Sequence, residues 1–181
     1  VAADYFNTFA DANGRLPRKD QYWNVVTAII PSNNTSWKAM ETQIGNGRQD
    51  QGSNHTNNFS NTKGYNNMKP GISPNLINAV GMNLFWDDIS KNKLKGSGVI
   101  AKSALACRTN ITRSAKYIPI NYYVGSKTGL WSPVVHDSGF VGQIGQKWLA
   151  ITVLTKGPAN AEYVALMWGG LFREYYLEQK L

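Results

Sequence analysis

The sequence predicts an α+β fold in which helices flank an antiparallel sheet and a helical subdomain stands beside it. Three observations carry this. Up to about residue 110 the apolar residues recur at helical spacing. Between residues 117 and 155 three β-type segments are joined by short turns. From Asn160 to Gln179 a stripe of Val164, Trp168, Leu171 and Tyr175 marks a closing helix. At 181 residues the chain fits one domain, 1–181. About 1–110 form a mainly helical lobe, and 111–181 hold the strands and the C-terminal helix.

Residues 1–18 are mixed in character and end in the turn signal NGRLPR. From Lys19 to Ile30, Tyr22, Val25, Val26, Ile29 and Ile30 share one helical face. Pro31 lacks the N–H that the next helical bond needs, so the helix stops there. Ser32-Asn33-Asn34 follows, then a short helix over about Thr35–Ile44 closed by Gly45. Residues 45–67 are almost devoid of aliphatics and read as a long polar loop. Ser73 as N-cap and Pro74 at the first helical position open the next helix, with Leu76, Ile77, Val80, Leu84 and Phe85 as its apolar face. A further helix is expected around Gly98–Arg108. Tyr117–Ser126, Val134–Gly142 and Trp148–Thr155 form an antiparallel meander. WLAITVL is apolar throughout, which predicts a central strand covered on both faces.

Charge is sparse but one-sided: 19 Lys+Arg against 11 Asp+Glu, a net +8. This points to an anionic surrounding or partner, nucleic acid or the anionic polymers of a bacterial wall. No basic run is dense enough for a nucleic-acid arm. The six Trp and nine Tyr fall mostly on predicted apolar faces, so core packing accounts for them and no nucleic-acid partner is expected. The one cysteine, Cys107, has apolar neighbours and reads as a buried structural thiol. No Cys/His cluster has metal-ligand spacing, so no metal and no cofactor is expected. No apolar run reaches the 18 residues of a transmembrane segment.

Two short stretches carry chemistry. AIIPSNNTSWKAMETQIG places a Ser-Asn-Asn turn between two helices. YIPINYYVGSKTGLWSPVVHDSGFV places Lys127-Thr128-Gly129 beside apolar strands. Together they resemble the penicillin-recognising serine hydrolases, in the branch of the class A β-lactamases. The first matches that family's serine-asparagine loop, the second its Lys-Thr-Gly strand and following His-Asp-x-Gly strand. KWLAITVLTKG and the last helix resemble its closing strand and helix. The resemblance runs from about Lys19 to the end, and its two motifs are 95 positions apart.

The resemblance implies roles that the residue types suit. Lys127 supplies positive potential to a substrate carboxylate, and Thr128 a hydroxyl donor. Gly129 lets substrate lie against the strand. The backbone N–H of Leu130 is an oxyanion-hole donor. Ser32, beside Lys127, relays a proton to the leaving nitrogen; these two are the catalytic candidates. Asn34 bonds the substrate amide, and Asn33 orients the loop. His136 and Asp137 are adjacent on a strand, so they point to opposite faces and read as structural.

The sequence also departs from that pattern. The family's acylated serine lies in a Ser-x-x-Lys motif upstream of the Ser-Asn-Asn turn. None of the 31 residues before Ser32 is a serine. Ser60–Lys63 and Ser90–Lys93 match the spacing but follow Ser32. The chain is therefore expected to be the C-terminal portion of a longer protein, with the N-terminal segment among its partners. Between Ser32 and Lys127 the sole glutamate is Glu41, badly placed on the helix after Asn34 to serve as the deacylating base. These features imply a hydrolase of β-lactam or D-Ala-D-Ala-type peptide amides, weak in deacylation. Its substrates would be β-lactams or peptidoglycan stem peptide, and its place extracellular or on the bacterial cell surface. The alternative is an inactive cell-wall-binding module of the same fold.

Overall fold

The structure is a computed structural model that describes residues 1–65, 78–107, 113–131, 133–157 and 159–178. Six helices come first: α1 (Ala2–Phe9), α2 (Lys19–Ile29), α3 (Asn34–Ile44), α4 (Gln49–Thr62), α5 (Ala79–Ser90) and α6 (Ser97–Leu105). Strands β1 (Tyr123–Trp131), β2 (Val134–Gly142) and β3 (Trp148–Val153) follow, then α7 (Ala161–Phe172) and a π-helical turn, Arg173–Glu178. The strands form one antiparallel sheet in the order β1-β2-β3.

Strand alternation gives this sheet two different faces. Val124, Val141 and Leu149 are aligned across it, as are Gly125, Phe140 and Ala150 one residue along. The first set packs with Val164, Trp168 and Phe172 of α7. The second joins the helical lobe, where Phe140 meets Trp86 of α5 and Trp148. Trp86 also donates its indole N–H to Ser138 Oγ at 2.8 Å, and Ser138 bonds Thr152 at 2.6 Å. The sheet is thus a wall between two cores, with β1 at one edge.

Four expectations need correction. The polar stretch 45–67 is not a loop, because α4 occupies most of it. Polar anchors replace an apolar face: Gln49 and Ser53 bond the buried Glu41, and His55 and Thr56 bond the buried Asp4. Gly52 lets α4 close on α3, since a Cβ there would lie 1.8 Å from the Glu41 carbonyl oxygen. Second, α5 is capped by Asn78, whose side chain accepts from the Gly81 N–H, and it buries Trp86 and Ile89 while Val80 and Leu84 are exposed. Ser73, Pro74, Leu76 and Ile77 lie outside the described residues. Third, the strand expected over Tyr117–Ser126 runs instead over Tyr123–Trp131, so Lys127-Thr128-Gly129 sits inside it. Fourth, β2 and not β3 is the central strand. The WLAITVL run is apolar because β3 packs against α5 on one face and α7 on the other. The helices over 19–30, 35–44 and 98–108 agree with α2, α3 and α6 within a few residues, apart from Arg108, which lies outside the described residues.

Candidate functional site

The end of α2 builds one wall of a cleft. Ile30 is its C-cap, Pro31 follows, and Ser32 takes φ +55°, a left-handed conformation that costs a non-glycine residue energy. The turn is braced from inside. The Asn33 N–H donates to the Thr27 carbonyl at 3.0 Å, and the Thr27 hydroxyl bonds Ser36 Oγ at 2.7 Å. Asn33 Oδ1 then accepts from the N–H groups of Thr35 and Ser36, which caps α3. The capping residue is therefore Asn33, which leaves the Ser32 hydroxyl available.

Strand β1 builds the opposite wall. Lys127 Nζ donates to Ser32 Oγ at 2.7 Å and to the Thr128 carbonyl at 2.7 Å. Two residues 95 positions apart thus meet across the cleft. Burial is the largest influence on Lys127 and lowers its pKa from 10.5. Cys107 and Asp137 act in the opposite direction, and Arg113 adds to the lowering. Among the described residues Lys127 has no ion-pair partner within salt-bridge distance.

Beneath it, Asp137 is fully buried, and burial raises its pKa above 3.8. Ser126, Ser114 and Arg113 hold that rise in check. Ser114 and Ser126 bond each other at 2.9 Å, and neither Asp137 oxygen has a well-formed hydrogen bond among the described residues. The hydroxyls lie against the carboxylate as polar neighbours without closing good bonds to it. His136 instead accepts the Thr155 N–H through Nδ1 at 3.0 Å, a structural tie across the sheet.

The cleft has a volume of about 640 Å³. Ser32 and Thr128 line its polar end, while Trp23, Val26, Ile30, Pro31 and Cys107 supply most of the rest. Gly129 is not demanded by internal packing. A Cβ there would meet His136 Cβ at an ordinary 3.5 Å, whereas at Gly139 it would lie 2.0 Å from the Gly125 carbonyl oxygen. Asn34 stands exposed at the first position of α3, and neither it nor Leu130, 69% exposed, lines the cleft. Glu41 is buried against Gln49 and Ser53 and does not line it either. Ser60 and Ser90 lie near the C-terminal ends of α4 and α5, outside the cleft lining. Sequence reasoning missed three participants: Trp23, and Arg113 with Asp137 as charges around Lys127. Trp23 was detectable in principle, because it lies off the Tyr22-Val25-Ile29 face of its helix.

No protein-family model matches the chain, and no curated protein matches it. Solved structures do. An ancestral class A β-lactamase superposes with a TM-score of 0.75 at 17% identity, covering 96% of this chain and 83% of that one. A mutant of the chromosome-encoded β-lactamase of Vibrio parahaemolyticus gives 0.74 at 13% identity, covering 96% and 82%. For a variant of the class A β-lactamase of the last common ancestor of Gram-negative bacteria the score is 0.70 at 17% identity, with 87% of this chain covered. The chain spans 65% of that protein's length. Across most of its length, and at low sequence identity, the chain has the α+β fold of the class A β-lactamases.

Proposed function

We propose that the cleft recognises a carboxylate-bearing amide of the β-lactam or D-Ala-D-Ala cell-wall type, within a serine hydrolase whose acylated serine lies outside this chain. The observation that carries this reading is the 2.7 Å bond from Lys127 Nζ to Ser32 Oγ. An ammonium beside a hydroxyl favours that oxygen as a proton carrier. In the acylation step the external serine oxygen bonds the carbonyl carbon, and the amide C–N bond breaks. Ser32 passes its proton to the departing nitrogen and takes one from Lys127, and the proton given up by the attacking serine hydroxyl restores the Lys127 ammonium. Lys127 and Thr128 hold the substrate carboxylate, and Gly129 leaves room along the strand. The strained φ at Ser32 supports a functional role for that turn.

Among the described residues no glutamate lines the cleft, so deacylation is slow and the acyl-enzyme long-lived. Such a protein works outside the cell or on the bacterial surface. Fluorescent penicillin incubated with the intact protein labels it covalently on a denaturing gel. Ser32→Ala and Lys127→Ala each cut the labelling rate by about a hundredfold or more. A folded protein that takes no label overturns the reading.

The net charge of +8 favours a second reading, an inactive module that binds anionic wall polymers. Sedimentation with peptidoglycan or teichoic acid that survives both substitutions supports this alternative.

A further inference from the structure

The cleft is larger and more apolar than a terminal D-Ala needs. Beside its carboxylate that residue carries a single methyl group. The cleft offers about 640 Å³, a volume in the range of drug-sized ligands. One side is a continuous apolar wall: Trp23, Val26, Ile30 and Pro31 from the end of α2, facing Cys107 just past α6. Trp23 is 67% exposed, an unusual position for a large ring that helps line a cavity. It presents free aromatic surface at the mouth.

At the polar end Ser32 and Thr128 line the cleft, and Lys127 adjoins them through its bonds to Ser32 Oγ and the Thr128 carbonyl. Its ammonium is the positive charge placed there by geometry. Lys127 has three N–H donors and, among the described residues, uses two, on Ser32 and the Thr128 carbonyl. A partly desolvated cation with a spare donor favours one anionic oxygen group.

We propose that the space between α2, β1 and the end of α6 is a subsite for a monoanion bearing an aromatic group next to its carboxylate. The inference rests on the carboxylate role given above to Lys127 and Thr128, and it extends that role to the neighbouring substituent. The carboxylate sits at the Lys127–Thr128 end. The ring packs on Trp23 and along Val26 and Ile30, where aromatic contact adds to area burial. The subsite discriminates against small terminal residues by leaving its wall wet when only a methyl group is bound.

Calorimetric titration of the chain with N-acetyl-D-phenylalanine and N-acetyl-D-alanine tests this. The aromatic ligand binds about tenfold tighter or better. Trp23→Ala, a surface change whose folding is checked by circular dichroism, reduces the ratio to about threefold or less. Lys127→Met weakens both ligands by a similar factor and keeps the ratio. Equal affinities in the unmodified chain, or a ratio unchanged by Trp23→Ala, overturn the aromatic subsite. Affinities untouched by Lys127→Met overturn the carboxylate assignment and the anionic half of this proposal, and the Trp23 comparison alone then decides the apolar half. Failure of both ligands to bind overturns both readings.

Discussion

Helices α4 and α7 are attached to the same small protein by opposite means. α7 buries Val164, Ala165, Trp168 and Phe172 against the sheet, so its hold is mainly apolar area. α4 buries only Gly52. Its hold is mainly Gln49 and Ser53 on Glu41, and His55 and Thr56 on Asp4, with a glycine that permits close approach and Phe59 as its one apolar contact with the core. The apolar attachment is non-directional and tolerant of detail. The polar one depends on each bond, because a buried carboxylate left without partners is costly.

The largest test falls on the apolar helix. Trp168 is fully buried, and Trp168→Ala lowers unfolding stability by about 3–5 kcal/mol, read from urea denaturation. On the polar side, Asp4→Ala costs about 2 kcal/mol. It is also strongly non-additive with His55→Ala, because both act through one bond, whereas Trp168→Ala adds independently to either. A double-mutant cycle reads this directly. Additive losses at Asp4 and His55 would show that α4 is held by area after all.

The smallest effect is a pH slope at the cleft. Burial puts the folded-state pKa of Lys127 below 10.5. Between that lowered value and 10.5 the unfolded chain binds more protons than the folded one, so stability rises with pH through the window. Lys127→Met removes this slope. Urea midpoints taken from neutral pH to about 10.5 show the unmodified chain gaining on the variant. A constant difference would mean that Lys127 is better solvated than its position implies.

The contrast also explains what was legible. α2 and α7 show their apolar stripes in the sequence, because area burial needs a repeated pattern. α4 shows none, since its anchors are bonds to Asp4 and Glu41, residues whose positions become relevant only after folding. The strand error has a similar origin. An apolar run such as WLAITVL reports coverage of both faces, and α5 and α7 provide that at the sheet's edge as readily as at its centre. Ser32 and Lys127 were visible as residue types set in recognisable surroundings. Arg113 and Asp137 were not, because nothing local distinguishes a charge near the cleft from any other core residue, and Trp23 stood out only by lying off the apolar face of its helix.

By itself, the sequence determined the α+β class, the helix that Pro31 ends, the antiparallel pairing and the two short stretches that meet at the cleft. Local rules suffice for these, since they act through backbone geometry and periodic burial. Only the tertiary structure decided that α4 is a helix, that β2 is the middle strand, and that a lysine and a serine 95 positions apart share one proton-sized gap. Those outcomes depend on which surfaces exclude water together, and that is a property of the assembled chain.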